Sequence, residues 1–124
     1  MNAVRTTLIG RCFAGLFALA VILISGPAFA QALEGNYNVS GTNPSGGVYT
    51  GKVVIRAIGK NKYKLSWLIA TSGETYVGTG PLQGDTLTIY WGKKYPVIYK
   101  VGDDGVLQGA WDNGAGTEVL VPER

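Results

Sequence analysis

Histidine is absent from the chain, and its single cysteine and single methionine are Cys12 and Met1. Without these side chains the rest of the sequence cannot form a Ser-His-Asp triad, a cysteine nucleophile or the usual zinc sites. Glycine-rich phosphate-binding motifs are also missing, as are the helical periods that would present them. Asp103-Asp104-Gly105 fits a plain turn better than a calcium loop. We therefore expect no cofactor and no metal.

The N-terminal segment has the order of parts found in a secretory signal peptide. Arg5 and Arg11 make a positive start without an acid, and an apolar run follows from Cys12 to Ile24. Ser25-Gly26-Pro27 breaks the run, and Ala28-Phe29-Ala30 places small residues where signal peptidase cleaves. The run is shorter than the about 20 residues that span a bilayer. An uncleaved anchor is the alternative.

This pattern divides the chain into residues 1–30, a cleaved signal peptide, and residues 31–124, one exported domain. We expect no membrane span after processing, and a bacterial periplasmic or secreted location. The domain carries 9 Lys and Arg and 8 Asp and Glu, so its net charge is 9 − 8 = +1, below the +3 of the whole chain. This balance gives no reason to expect nucleic-acid binding. The basic cluster Arg56, Lys60, Lys62 and Lys64 is interpreted as a solvated strand face that protects a sheet edge.

Short alternating segments separated by glycine-containing turns predict an all-β domain. Tyr63, Leu65, Trp67 and Ile69 share one face of a strand, for example, and Asp103-Asp104-Gly105 is typical of a hairpin turn. The predicted strands are 35–41, 48–57, 62–70, 74–80, 86–91, 96–101, 106–112 and 117–121. Their short connections favour an up-and-down meander that closes, or nearly closes, into a barrel. A two-layer β-sandwich is the alternative.

A pair of carboxylates for glycoside hydrolysis is the common catalytic scheme that this composition still allows. The candidate acids are Glu34, Glu74, Asp85, Asp103, Asp104, Asp112, Glu118 and Glu123. All except Glu118 lie at predicted strand ends, turns or tails, where acids are ordinarily solvated. Glu118 lies within a strand, on the opposite face from Val119. We therefore predict that the protein is not an enzyme.

The aromatic residues provide the main functional hypothesis. All 3 Trp and all 7 Tyr follow residue 30, and many fall on apolar strand faces. The candidate ligand-binding residues are Trp67, Trp91, Trp111, Tyr49, Tyr76 and Tyr99. In a small barrel such side chains either fill the interior or line a cavity for one small ligand. A cavity with indole and phenol groups would suit a ring-bearing or amphipathic ligand.

Two segments carry a resemblance to known families. The Gly35-Asn36-Tyr37 opening and Leu107-Gln108-Gly109-Ala110-Trp111 resemble the strand rhythm of avidin-type and lipocalin-type barrels. Tyr37 stands where lipocalins have their early tryptophan. The resemblance implies a small apolar or ring-shaped ligand in the barrel mouth, without a position-by-position transfer of binding residues.

The chain is also similar to small exported bacterial proteins of unknown function. The shared patterns are Tyr-x-Gly at 49–51, Asp-Gly-x-Leu-x-Gly-x-Trp at 104–111 and Gly-x-Glu at 116–118. Some of those proteins carry a fibronectin-binding label, which implies an extracellular protein partner.

Three functions thus remain open. The first is a non-enzymatic barrel that binds a small apolar or ring-bearing ligand. The second is an adhesin-like or envelope protein that uses exposed residues such as Leu68, Tyr90, Tyr95 and Ile98. The third is a small carbohydrate-active enzyme. Ligand, partner and oligomeric state are not set by the sequence.

Overall fold

The computed structural model describes residues 33–123, which form a closed antiparallel barrel of eight strands in chain order. The predicted signal peptide lies outside the described residues. The strands are β1 (Gly35–Thr42), β2 (Val48–Gly59), β3 (Lys62–Ile69), β4 (Thr75–Gln83), β5 (Thr86–Ile89), β6 (Val97–Val101), β7 (Leu107–Trp111) and β8 (Gly116–Pro122). The predicted all-β meander and its closure are confirmed, and the two-layer sandwich is excluded.

Closure depends on the pairing of the first and last strands. β1 pairs with β2 on one side and with β8 on the other, in a register that includes Val39 opposite Leu120 and Gly41 opposite Glu118. Each of the eight strands therefore has two neighbours, so the barrel has no open sheet edge of the kind that promotes aggregation.

Strand bounds differ from the prediction mainly around β4 and β5. β4 continues through Pro81 to Gln83, whereas the sequence pattern ended it at residue 80. Pro81 has no N–H to donate to a neighbouring strand. In the barrel the ladder between β4 and β5 is interrupted near this residue, between the Thr79–Tyr90 bridge and the Leu82–Leu87 pair. β5 accordingly ends at Ile89, with Tyr90 in an isolated bridge.

Alternation along each strand sends one set of side chains inward and builds the core. In β3, Tyr63, Leu65, Trp67 and Ile69 are buried, as the pattern predicted. Ala57, predicted on the inward face of β2, is exposed, although it pairs in register with the buried Tyr63; the register shifts only beyond it, between Ala57 and Gly59. A β-bulge of this kind redirects the side chains beyond it.

The two ends of the barrel are not equivalent. The end where β1 begins is filled by Leu33, Tyr37 and Tyr63, each 2% exposed, and the Tyr37 hydroxyl donates a 2.8 Å hydrogen bond to the Leu33 carbonyl oxygen. The other end is surrounded by the connections at 43–47, 70–74, 90–96 and 112–115. We call it the mouth. Over residues 33–123, no helix is long and apolar enough to cross a membrane.

Candidate functional site

A cavity of about 370 Å³ opens at the mouth of the barrel. Ligand pockets for small molecules start at about 300 Å³, so this cavity has room for one compact ligand. Its lining is Asn43, Val48, Tyr49, Trp67, Ile69, Thr71, Ser72, Glu74, Tyr76, Trp91, Lys93, Val97, Trp111 and Glu118. Aromatic and aliphatic side chains dominate, with polar groups at the rim and a single carboxylate among the buried residues.

Aromatic rings form the wall of the cavity, and Trp91 lies at the centre of their contacts. Its ring centroid is 5.6 Å from that of Tyr76, 5.9 Å from that of Trp111 and 6.4 Å from that of Trp67. Tyr49 meets Trp111 edge to face at 6.3 Å. Edge-to-face packing places ring hydrogens against π faces, which favours one fixed arrangement of the rings. The wall is therefore a connected aromatic cluster.

Glycines on neighbouring strands make room for these rings. Tyr49 pairs with Gly41 and Trp111 pairs with Gly116 in the register of the barrel. A Cβ atom at Gly41 would collide with the Tyr49 phenol, and one at Gly116 would collide with the Trp111 indole. Because an aromatic side chain packs across the bare backbone of its partner, the glycine fixes the direction of the ring.

Glu118 lies at the floor of the cavity and is 5% exposed. Its Oε1 accepts a 2.7 Å hydrogen bond from the Tyr49 hydroxyl, and its Oε2 accepts a 3.0 Å bond from Trp67 Nε1 and a bond from the Tyr99 hydroxyl. Trp111 Nε1 in turn donates to the Tyr49 hydroxyl at 3.0 Å. The carboxyl group thus accepts every hydrogen bond that these side chains donate to it.

Burial and the Glu118 charge together set the protonation of the two phenols. Burial raises the pKa of the Tyr49 hydroxyl far above its usual value of 10.0, and the negative charge of Glu118 raises it further. The same two causes, in the same order, raise the pKa of Tyr99 well above its usual value. Both hydroxyls therefore stay protonated across the physiological range and remain donors to the carboxylate.

The rim of the mouth is polar. Lys93 places its Nζ 5.9 Å from the centroid of the Trp91 ring, which is a cation–π contact. The Ser72 hydroxyl donates a 3.1 Å hydrogen bond to Glu74 Oε1. A hydrogen bond to Glu74 is also the main reason that the pKa of Tyr76 is raised. Of the charged residues in the connections around the mouth, Lys93 and Glu74 line the cavity.

Five of the six predicted ligand-binding residues line this cavity: Trp67, Trp91, Trp111, Tyr49 and Tyr76. The sixth, Tyr99, is fully buried, and its hydroxyl meets Glu118 from within the core. Tyr63 is far from the mouth, in the filled end.

Sequence reasoning did not include Glu118 in the site. In β8, Thr117, Val119 and Val121 face outward, whereas Gly116, Glu118 and Leu120 face inward. The outward set is the more apolar of the two, so hydrophobic alternation gives no reason to place Glu118 inside. The available signal was Gly116-x-Glu118-x-Leu120, in which a small residue precedes the acid on one face. Of the eight candidate acids, Glu74 and Glu118 line the cavity.

The part of the chain that the structure describes contains no group of three or more Asp and Glu side chains placed to hold a metal ion. Its buried side-chain nitrogen and oxygen atoms all have hydrogen-bond partners. The polar groups of the cavity are thus held in place before any ligand arrives, which is the usual state of a small-molecule site.

Comparison with known proteins identifies the fold and no family, since no family model and no curated protein sequence matches the chain. Among solved structures, the chain is similar to a redesigned β-barrel, with a TM-score of 0.57 and 17% identity over 77% of this chain and 95% of that one. It is also similar to the redesigned β-barrel mFAP0, which was solved bound to DFHBI. There the TM-score is 0.52, with 18% identity over 73% of this chain and 98% of that one.

Proposed function

We propose that this protein is an exported, non-enzymatic binding module that holds one small ring-bearing ligand in the mouth of its barrel. The observation that carries the proposal is the cavity of about 370 Å³ with a wall of Tyr49, Tyr76 and all 3 tryptophans of the chain. Flat rings placed against this wall would gain the edge-to-face and offset contacts that the wall residues already make with one another.

Three further features support a binding role. The cavity is about the size of a small-molecule site, and its polar groups are few and held in fixed positions. One barrel of similar fold, mFAP0, binds DFHBI, a small ring-containing dye. The predicted signal peptide agrees with a binding protein that meets its ligand outside the cytoplasm.

Titration with DFHBI, followed by tryptophan fluorescence, tests the proposal. All 3 tryptophans line the cavity, so a ligand there changes their emission. We expect saturable quenching. We expect Trp91→Ala to lower the affinity for DFHBI by about threefold to tenfold, since aromatic contacts are worth about 0.5–1.5 kcal/mol. Tyr90→Ala is the matched control, because Tyr90 is 60% exposed on the outer surface. Equal weakening by both variants, or no saturable quenching with DFHBI or other ring compounds, would argue against binding in the cavity.

Native mass spectrometry of the protein purified from its own host tests the same proposal without a chosen ligand. We expect a chain that starts at Gln31 and carries an additional small mass. A chain that starts at Gln31 and carries nothing would favour the surface-binding function described next. A mass that retains Met1 would contradict the signal peptide.

The outer surface supports one second candidate function, binding of an extracellular protein partner. Four apolar side chains are exposed here: Leu68 on β3 (49%), Val77 on β4 (54%), Tyr90 directly after β5 (60%) and Ile98 on β6 (47%). β3, β4, β5 and β6 are neighbours in the barrel, so these apolar side chains lie on the outer surface of adjacent strands. Tyr95, predicted in the same patch, is half-buried. Partner binding that is lost in Tyr90→Ala and retained in Trp91→Ala would favour this function.

A further inference from the structure

The carboxylate of Glu118 is buried without a cation beside it. Its hydrogen-bond donors are two phenols and an indole, all of which are neutral. Between described residues, the ion pairs lie on the outer surface, Lys52 with Glu123 at 2.7 Å and Lys100 with Asp85 at 3.1 Å. A buried charge is costly unless it is paired. The place for a pairing cation is the cavity above Glu118, which this residue lines.

The two oxygens of Glu118 are not equally occupied. Oε2 accepts hydrogen bonds from Trp67 and Tyr99, whereas Oε1 accepts one from Tyr49. A carboxylate has about four acceptor positions, two on each oxygen. Among the described residues, one acceptor position on Oε1 is therefore unused, and Glu118 lines the cavity.

The aromatic wall adds a second attraction for positive charge. The face of an aromatic ring is negative, and tryptophan attracts cations most strongly. The Lys93 ammonium already lies over the Trp91 ring at the rim, 5.9 Å from its centroid. The charged side chains of the lining are two carboxylates, Glu74 and Glu118, and one ammonium, Lys93, so negative charge is in excess. A cation within the cavity would thus meet π faces on its sides and Glu118 beneath it.

We propose that the ligand of this cavity is a cation, a ring-bearing molecule whose positively charged nitrogen lies between Glu118 Oε1 and the indole faces of the wall. This inference rests on the proposed function, since it names the chemical class of the ligand that the cavity binds. The nitrogen donates to Oε1, and the ring packs against the tryptophans. A ligand with a carboxylate in the same place would face Glu118 without a pairing cation, so it is disfavoured.

Three naphthyl compounds that share one ring system and differ in their polar group test the inference. They are naphthylethylamine, protonated at neutral pH, naphthylethanol and naphthylacetate, each titrated by calorimetry into the processed protein. We expect the ammonium to bind at least about tenfold more tightly than the alcohol, because hydrogen bonds to charged groups are stronger than neutral ones. The acetate is expected to bind most weakly.

The variant Glu118→Gln keeps the shape of the side chain and removes its charge. We expect it to reduce the preference for ammonium over alcohol to about twofold or less, while the alcohol still binds. Asp103→Asn is the matched control, because Asp103 is exposed in a turn at the filled end of the barrel. This variant removes the same unit of charge and should leave the preference unchanged. Near-UV circular dichroism checks that the aromatic cluster of each variant is intact.

The outcomes separate the two proposals. If none of the three compounds binds, the proposed function itself fails for ligands of this type. If the alcohol or the acetate binds as tightly as the ammonium, ring binding stands and the cationic ligand is excluded. This comparison on the unmodified protein decides the inference even if Glu118→Gln does not fold. If Glu118→Gln folds and retains the full ammonium preference, Glu118 is not the group that recognises the ligand.

Discussion

The ring of Tyr99 lies across the backbone of Gly109, its partner on the neighbouring strand. The two residues are opposite each other in the β6–β7 register, and a Cβ atom at Gly109 would lie 2.6 Å from both Cδ1 and Cε1 of Tyr99. The phenol therefore occupies the space that any larger residue at 109 would require. Since the Tyr99 hydroxyl donates to Glu118, Gly109 helps to set the position of the carboxylate at the cavity floor.

Gly109→Ala is expected to destabilise the fold. A Cβ atom this close to a buried ring forces the ring or the strand to move, and such overpacking costs about 1–3 kcal/mol. Gly59→Ala is the control, since its nearest neighbour to an added Cβ atom is 3.9 Å away. Urea unfolding compares the two variants with the parent. Equal stability of Gly109→Ala and the parent would show that Tyr99 does not require the glycine.

Trp67→Ala is expected to lower the free energy of unfolding by about 3–5 kcal/mol. The side chain is 5% exposed, and the variant also removes one of the donors to Glu118. Trp111→Ala should cost less, because Trp111 is half-buried. Tyr90→Ala removes an outward aromatic ring and should change stability by less than about 0.5 kcal/mol. A Trp67→Ala protein that melts like the parent would contradict the inward assignment of this face of β3.

Tyr49→Phe tests the hydrogen-bonded link between the wall and the floor. It leaves Trp111 Nε1 without its acceptor and Glu118 Oε1 without its donor. We expect a loss of about 1–3 kcal/mol, because buried polar groups lose their partners. Tyr90→Phe removes an exposed hydroxyl and serves as the control, with no measurable change. Unfolding in urea at neutral pH provides the comparison, and a Tyr49→Phe loss no larger than that of the control would count against the link.

Stability should fall as the pH rises above about 10. In the folded state burial raises the pKa values of Tyr49 and Tyr99, whereas an unfolded tyrosine loses its proton near pH 10. Above that pH the unfolded chain binds fewer protons than the folded one, so the free energy of unfolding decreases as pH rises. The expected slope is about 1.4 kcal/mol per pH unit for each such tyrosine.

Urea unfolding between about pH 8 and about pH 11 measures this slope. The stability that the raised pKa values provide is fully present below pH 10 and is lost above it. Tyr99→Phe removes one of these tyrosines, so it should reduce the slope by about 1.4 kcal/mol per pH unit. A free energy of unfolding that stays constant up to about pH 11 would contradict the raised pKa values.

Strand β8 shows where sequence reasoning reaches its limit. One face of β8 carries Thr117, Val119 and Val121, and the other carries Gly116, Glu118 and Leu120. The second face is the less apolar of the two, yet it points into the barrel. Pairing with β1 places Leu120 opposite Val39 and Glu118 opposite Gly41. The interior of the barrel on the β1 side thus decides the orientation of β8. Once inside, Glu118 is stabilised by donors from β2, β3 and β6.

The strands and the turns were largely predictable because they depend on local chemistry. A period of two with glycine-rich breaks located eight strands, and the inward face of β3 was predicted residue by residue. Five cavity residues were also found in this way, since large aromatic side chains on an apolar face must lie inside a small barrel. The bounds of β4 and β5 were wrong because they depend on the pairing of the two strands, which is interrupted between the Thr79–Tyr90 bridge and the Leu82–Leu87 pair.

By itself the sequence determined that the domain is all-β, which strand faces carry the aromatic residues, and which catalytic and metal chemistries its composition excludes. These features follow from backbone alternation, turn preferences and side-chain inventory. Tertiary structure decided that the strands close through β1 and β8, that one end is filled and the other open, and that Glu118 lies at the cavity floor. Such features depend on contacts between strands far apart in the chain, such as the bond from Tyr49 to Glu118, and no local pattern encodes that distance.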